Sequence, residues 1–121
     1  IWYNAPLYYQ DHGMTITNNS YGAYIGCATN GLYDMAAQIL DHQAFAIPKV
    51  LHVFAAGNSG SLSCVPYPAG FGTVLGGYQT AKNVLCVANT SDSGLLSGFS
   101  SKGPVRDGRI KPEIAAMGSF V

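Results

Sequence analysis

The sequence predicts an α/β fold with a mostly parallel sheet flanked by helices, and three observations carry that prediction. Short apolar runs rich in β-branched residues recur at 50–54 (VLHVF) and 84–88 (VLCVA), the pattern of strands buried in a parallel sheet. A stretch with helical periodicity lies between an earlier strand-like segment and the first of these runs, so strand, helix and strand form a βαβ crossover, expected to be right-handed. Ala55, Ala56 and Gly57 follow VLHVF directly, and their lack of bulk lets the backbone approach whatever lies beyond the strand's carboxyl end. That end is where open α/β sheets bind ligands.

Each element has a local cause. Asn4 as cap and Pro6 in the first turn predict a short helix to about His12, ended by Gly13. His12 reads as an exposed helix-end residue, where a cation suits the helix dipole. Residues 14–20 (MTITNNS) read as a strand leading into Tyr21 and Gly22. Thr29 or Asn30 caps the clearest helix, whose stripe is Leu32, Met35, Ala36, Ile39, Leu40 and Gln43, with Met35 on the core face. That helix ends before Pro48. His52, inside the next strand, reads as a core histidine satisfied by a neighbour. Residues 59–82 are loop-like, rich in Gly, Ser and Pro, and irregular stretches of that length are often functional. After the strand at 84–88, residues 95–100 and 110–115 read as shorter strands joined through Gly103, Pro104 and the Asp107-Gly108 turn.

Composition narrows the function. In 121 residues the charged fraction is 10% and the net charge zero, so nothing draws the chain to nucleic acid or acidic membranes. No run approaches the roughly 18 apolar residues of a membrane span, and no basic start with an apolar core marks a signal peptide. The chain begins at Ile1 and is expected to be a piece of a larger protein. Cys27, Cys64 and Cys86 are an odd number without metal-ligand spacing, so no zinc site follows. Cys86 reads as a small core residue, and a Cys27–Cys64 bridge is one open possibility that spacing does not decide.

The chemistry centres on Asn58 in AAGNSG. Asn before Ser-Gly is usually a turn residue, but an Asn held by a stiff strand can also aim its amide hydrogens at a developing oxyanion. Three stretches together resemble the subtilisin-like serine proteases. They are AAGNSG at 55–60, NNSYG at 18–22, and FSSKGPVRDGRIKPEIAAMG at 99–118. The resemblance implies that the chain is part of a three-layer subtilisin-like catalytic domain from a secreted or cell-surface endopeptidase. It implies that Asn58 serves the oxyanion hole and that Ser20, Tyr21 and Gly22 wall a cleft pairing with an extended peptide. Ala55, Ala56 and Gly57 would form the opposite wall, and the segment 65–68, with Pro66, would close the pocket. Small walls predict an apolar or aromatic side chain before the cleaved bond. Tyr21 stands where the family commonly has a smaller residue, so it either narrows the slot or simply packs.

By the same resemblance the triad's Asp and His precede Ile1 and its Ser follows Val121. Neither the family's Asp-Ser/Thr-Gly aspartate turn nor its Gly-Thr-Ser-Met-Ala serine segment is expected within the chain: Asp107-Gly108 does not match the first, Ser119 lacks a following helix, and Met117 stands where the family has Pro. The chain alone is therefore expected to be inactive, and strands missing from the sheet predict self-association. No cofactor or metal is expected, since no acidic cluster suggests calcium. Two other readings stand beside this one. An inactive interaction module would keep the cleft without the chemistry, whereas a nucleotide-binding α/β domain lacks any Gly-x-Gly-x-x-Gly or Lys-containing phosphate loop.

Overall fold

The computed structural model describes residues 2–23 and 25–119, and four strands there form one parallel sheet in the order β1-β2-β3-β4. They are β1 (Ile16–Asn19), β2 (Leu51–Ala55), β3 (Leu85–Thr90) and β4 (Ile114–Met117). Helix α1 (Ala5–His12) precedes β1, and α2 (Met35–Ala46) connects β1 to β2.

The inner face of the sheet buries Thr17, Asn19, His52, Phe54, Cys86 and Ala88. Phe54 packs against Ala37 and Leu40 of α2 and against Ala81 and Val84, with Trp2, Tyr33 and Tyr78 around them. A second cluster joins Ala56, Val74, Cys86 and Val105. Burial pushes the Cys86 thiol up to about 12, as suits an inert core residue. Cys27 and Cys64 are joined by a disulfide. The outer face stays uncovered: Ile16, Leu51 and Ile114 are all exposed there.

Several boundaries differ from the sequence reading. Asp34, not Thr29 or Asn30, caps α2, its carboxylate accepting from the Ala36 and Ala37 amides at 2.9 and 3.2 Å. The buried face is carried by Ala37 and Leu40, while Met35, expected on the core face, is 74% exposed. In α1, Gly13 ends the helix in a left-handed conformation as expected, but the Asn4 side chain makes no cap bond. Residues 95–100 contribute only an isolated antiparallel bridge between Leu96 and Thr90. The last strand begins at Ile114, because Pro112 offers no amide and the Glu113 carboxylate takes the Cys86 amide at 2.8 Å. The loop 59–82 is largely buried beyond Gly70 and contains a 3-10 turn, Gly77–Thr80.

A buried polar chain runs through β1 and β2. Asn19 Nδ2 donates to Thr17 Oγ1 at 2.8 Å, and that hydroxyl shares a 2.7 Å hydrogen bond with His52 Nδ1. His52 is thus the satisfied core histidine expected. Burial holds its folded-state pKa below the ordinary 6.5. As pH falls through about 6.5 the unfolded chain takes up a proton that the folded chain refuses, so the unfolded state binds more protons and stability drops. We expect a lower urea midpoint at pH 5.5 than at pH 7.5, with a smaller gap in His52→Gln. An undiminished gap in that variant contradicts this assignment.

Candidate active site

The β1–β2 register decides the site. Asn19 lies opposite Phe54, so Ser20–Gly22 and Ala55–Asn58 leave the sheet side by side at its carboxyl edge. Between them lies a groove of about 220 Å³, lined by Ser20, Tyr21, Gly22, Ala55, Gly57 and Asn58, together with Ile25, Ser59 and Leu75. None of these residues carries a charge. Ser20 and Gly22 make no backbone hydrogen bond outside the β-ladder among the described residues, which leaves that wall able to pair with an extended chain.

Asn58 is exposed on this groove, and its carboxamide makes no hydrogen bond among the described residues. Its backbone, in contrast, is held on both sides by Ser101. The Ser101 amide donates to Gly57 O at 3.0 Å, and the Ser59 amide donates to Ser101 Oγ at 3.0 Å. Gly60 donates to Phe99 O at 2.9 Å, so the 99–101 turn fastens the loop that presents Asn58. Gly57 has φ 115°, a conformation other residues rarely adopt.

Tyr21 packs beneath its wall rather than across the groove. Its ring meets Phe54 and Tyr78 edge-on, each at 5.9 Å between centroids, and its hydroxyl donates to Asn19 Oδ1 at 2.9 Å. Burial, with Tyr78 nearby, raises the phenol above its ordinary pKa, so it remains a neutral donor. Two expected residues do not line the groove. Ala56 turns its methyl into the second core cluster, as strand alternation requires for a residue between Ala55 and Gly57. Pro66 lies in an exposed segment away from the groove.

Leu75, further along the same loop, lines the groove, and Gln79 lies behind it. Gln79 is fully buried, and its Nε2 donates to Tyr21 O at 2.9 Å and to Ala55 O at 3.0 Å, tying one wall to the other. A β-carbon added to Gly22 would overlap Leu75 Cδ1, and one added to Gly57 would stand 3.0 Å from the same methyl. The walls are as small as expected, and Leu75 packs against the glycines of both where it lines the groove. Sequence spacing carried no sign of either residue.

The sequence profile of the Subtilase family matches residues 2–120. This chain belongs to the subtilase family. Its fold is similar to the solved structure of the prenylagaramide maturation protease PagA, with a TM-score of 0.58 and 22% identity. The match covers 91% of this subtilase chain and 33% of that one, so the chain spans about a third of the solved structure's length. No curated protein sequence matches.

Within the subtilase chain, one triplet needs correction. Asp92-Ser93-Gly94 does spell the family's aspartate turn, but it follows β3 rather than the first strand. There Gly94 donates to Ser91 O at 3.1 Å and the Ser91 and Ser93 hydroxyls bond each other at 2.8 Å, while Asp92 is exposed. This is a surface turn. Ser119 accepts from Asn89 Nδ2 at 2.7 Å and bonds Ser97 Oγ at 3.0 Å, and neither an amide nor a hydroxyl is a base that would activate it.

Proposed function

We propose that this chain is the central part of the catalytic domain of a serine endopeptidase, supplying the oxyanion donor and the substrate cleft. One observation carries the reading: an exposed carboxamide at Asn58, without a hydrogen-bond partner among the described residues, lines a groove whose two walls end adjacent parallel strands. An extended peptide pairs with Ser20–Gly22, which sets its carbonyl near Asn58. When a nucleophile attacks that carbonyl, negative charge moves to its oxygen, and the Asn58 Nδ2 hydrogens stabilise it from a fixed position. The loop needs no rearrangement at that moment, because Ser101 already holds it.

The attacking serine and its base belong to segments outside these residues, so the chain by itself does not hydrolyse peptides. A fluorophosphonate probe tests this. It labels a serine in the longer protein that contains this chain, and peptide cleavage there is lost on labelling, whereas the isolated chain neither reacts nor cleaves. Cleavage by the isolated chain overturns the division of labour. A longer protein that binds peptides but never reacts is an interaction module instead. The Cys27–Cys64 bond supports a secreted or cell-surface address, where disulfides persist.

The uncovered sheet face supports self-association of the isolated chain. Ile16, Leu51, Val53, Val87 and Ile114 share that face through the strand register, an apolar surface that soluble monomers rarely leave bare. Light scattering of the isolated chain should give dimers or larger species, and a monodisperse monomer contradicts this.

A further inference from the structure

The turn that presents Asn58 has little support of its own. Among the described residues Asn58 makes no backbone hydrogen bond, and the groups on either side of it, Gly57 O and the Ser59 amide, both end on Ser101. The Ser101 amide holds the first at 3.0 Å, and its hydroxyl oxygen accepts from the second at 3.0 Å. Ser59 and Ser101 are both buried, so water does not stand in for that hydroxyl. Ser101 is in turn fixed from outside the loop. The Ser100 hydroxyl oxygen, also buried, accepts from the Asn89 amide of β3 at 2.9 Å. Lys102 exchanges two bonds with Thr73: its amide donates to Thr73 Oγ1 at 3.0 Å, and its carbonyl accepts from the Thr73 amide at 2.8 Å. The two consecutive serine hydroxyls thus divide the work, Ser100 tying the turn to β3 and Ser101 tying Asn58 to the turn. None of these bonds involves Ser20–Gly22, a wall joined to Ala55 through Gln79.

We infer that Ser101 is a positioning residue for the reaction: its hydroxyl sets the Asn58 carboxamide relative to the sheet and acts on the transition state through Asn58 alone. The inference rests on the endopeptidase reading above and adds to it the group that aims the donor. Stabilisation of a developing charge by a hydrogen bond depends steeply on distance and direction, and a misplacement of about 1 Å can cost about 10²-fold in rate. Removing the hydroxyl leaves the Ser59 amide a buried donor without a partner, so the turn must shift or open to water to satisfy it. That shift moves Asn58 while the peptide-pairing wall stays in place. Turnover falls and substrate binding does not.

The test is a double-mutant cycle in the longer peptidase containing this chain, with rates expressed per serine labelled by fluorophosphonate so that only competent molecules count. Ser101→Ala should lower kcat at least about tenfold, with KM changed by no more than about twofold. In the Asn58→Ala background the same substitution should alter kcat by less than about twofold, because no donor is left to aim. Ser101→Cys keeps the outline of the side chain but offers a weaker acceptor, and its kcat should lie between those of Ser101→Ala and the wild type. A loss of the same size with and without Asn58 overturns the inference, since the hydroxyl then only supports the fold, and it leaves the endopeptidase reading intact. So does an unchanged kcat in both Ser101 variants, or a loss that appears in KM. Failure to label any serine, with no peptide cleaved, overturns the endopeptidase reading and this inference with it.

Discussion

Replacing Asn58 by alanine should lower kcat of the peptidase containing this chain by about 10²–10³, with KM changed by no more than about twofold. The size of the loss is the one measured for the oxyanion-hole asparagine of a subtilisin, carried over through the family. What the structure supplies is the reason for the split between kcat and KM. The Asn58 side chain makes no hydrogen bond among the described residues, so its removal takes no support from the fold. It also leaves the Ser20–Gly22 wall and Leu75 untouched, so ground-state binding is retained. Steady-state kinetics on one peptide substrate decides the point. A rise in KM at constant kcat would make Asn58 an ordinary binding contact, and no change in either would make it a plain turn residue.

Gly57→Ala should cost the fold at least about 2 kcal/mol, combining backbone strain of about 1–3 kcal/mol with overpacking of similar size. Gly57 has φ 115°, and a β-carbon there would stand 2.5 Å from Leu75 Cγ and 2.9 Å from Ser101 Oγ. Ser101 is held by its bonds to Gly57 O and the Ser59 amide, and Leu75 by its buried surroundings, so neither neighbour yields readily. Denaturant unfolding checks this against Gly98→Ala, a glycine whose added β-carbon meets nothing within 4 Å and whose replacement should shift stability by less than about 0.5 kcal/mol. Equal effects at the two positions would remove the case for a strained, filled loop beneath Asn58.

The sequence revealed those parts of the site whose residue types leave little choice. An apolar strand stopping at Ala-Ala-Gly-Asn announces both a buried strand and a close backbone approach, and β2 with Asn58 at its carboxyl edge followed. The parallel register then brought Ser20–Gly22 alongside, as a βαβ unit requires. Leu75, Gln79 and Ser101 were not legible, because each acts from an irregular segment where no periodicity says which way a side chain points. Family likeness points to Pro66 as the pocket-closing residue, yet Pro66 does not line the groove and Leu75 of the same loop does. The start of α2 differs for a related reason. Thr29, Asn30 and Asp34 are all good caps, and only the tertiary burial of Ala37 and Leu40 selects Asp34.

The outer face of the sheet shows the same limit from the other side. VLHVF reads as a strand covered on both faces, yet Leu51 is exposed while His52 and Phe54 are buried. Composition records what a strand is suited to pack against. It does not say whether the covering residues belong to the same stretch of chain.

The central claim is that the Asn58 carboxamide meets a peptide oxygen as charge develops on it. A crystal structure of the peptidase containing this chain, bound to a peptide aldehyde or boronate that forms a tetrahedral adduct, measures that contact directly. Asn58 Nδ2 should lie about 2.7–3.1 Å from the adduct oxygen, with the peptide backbone paired along Ser20–Gly22. An adduct oxygen held by other donors, with Asn58 turned out to solvent, would contradict the account.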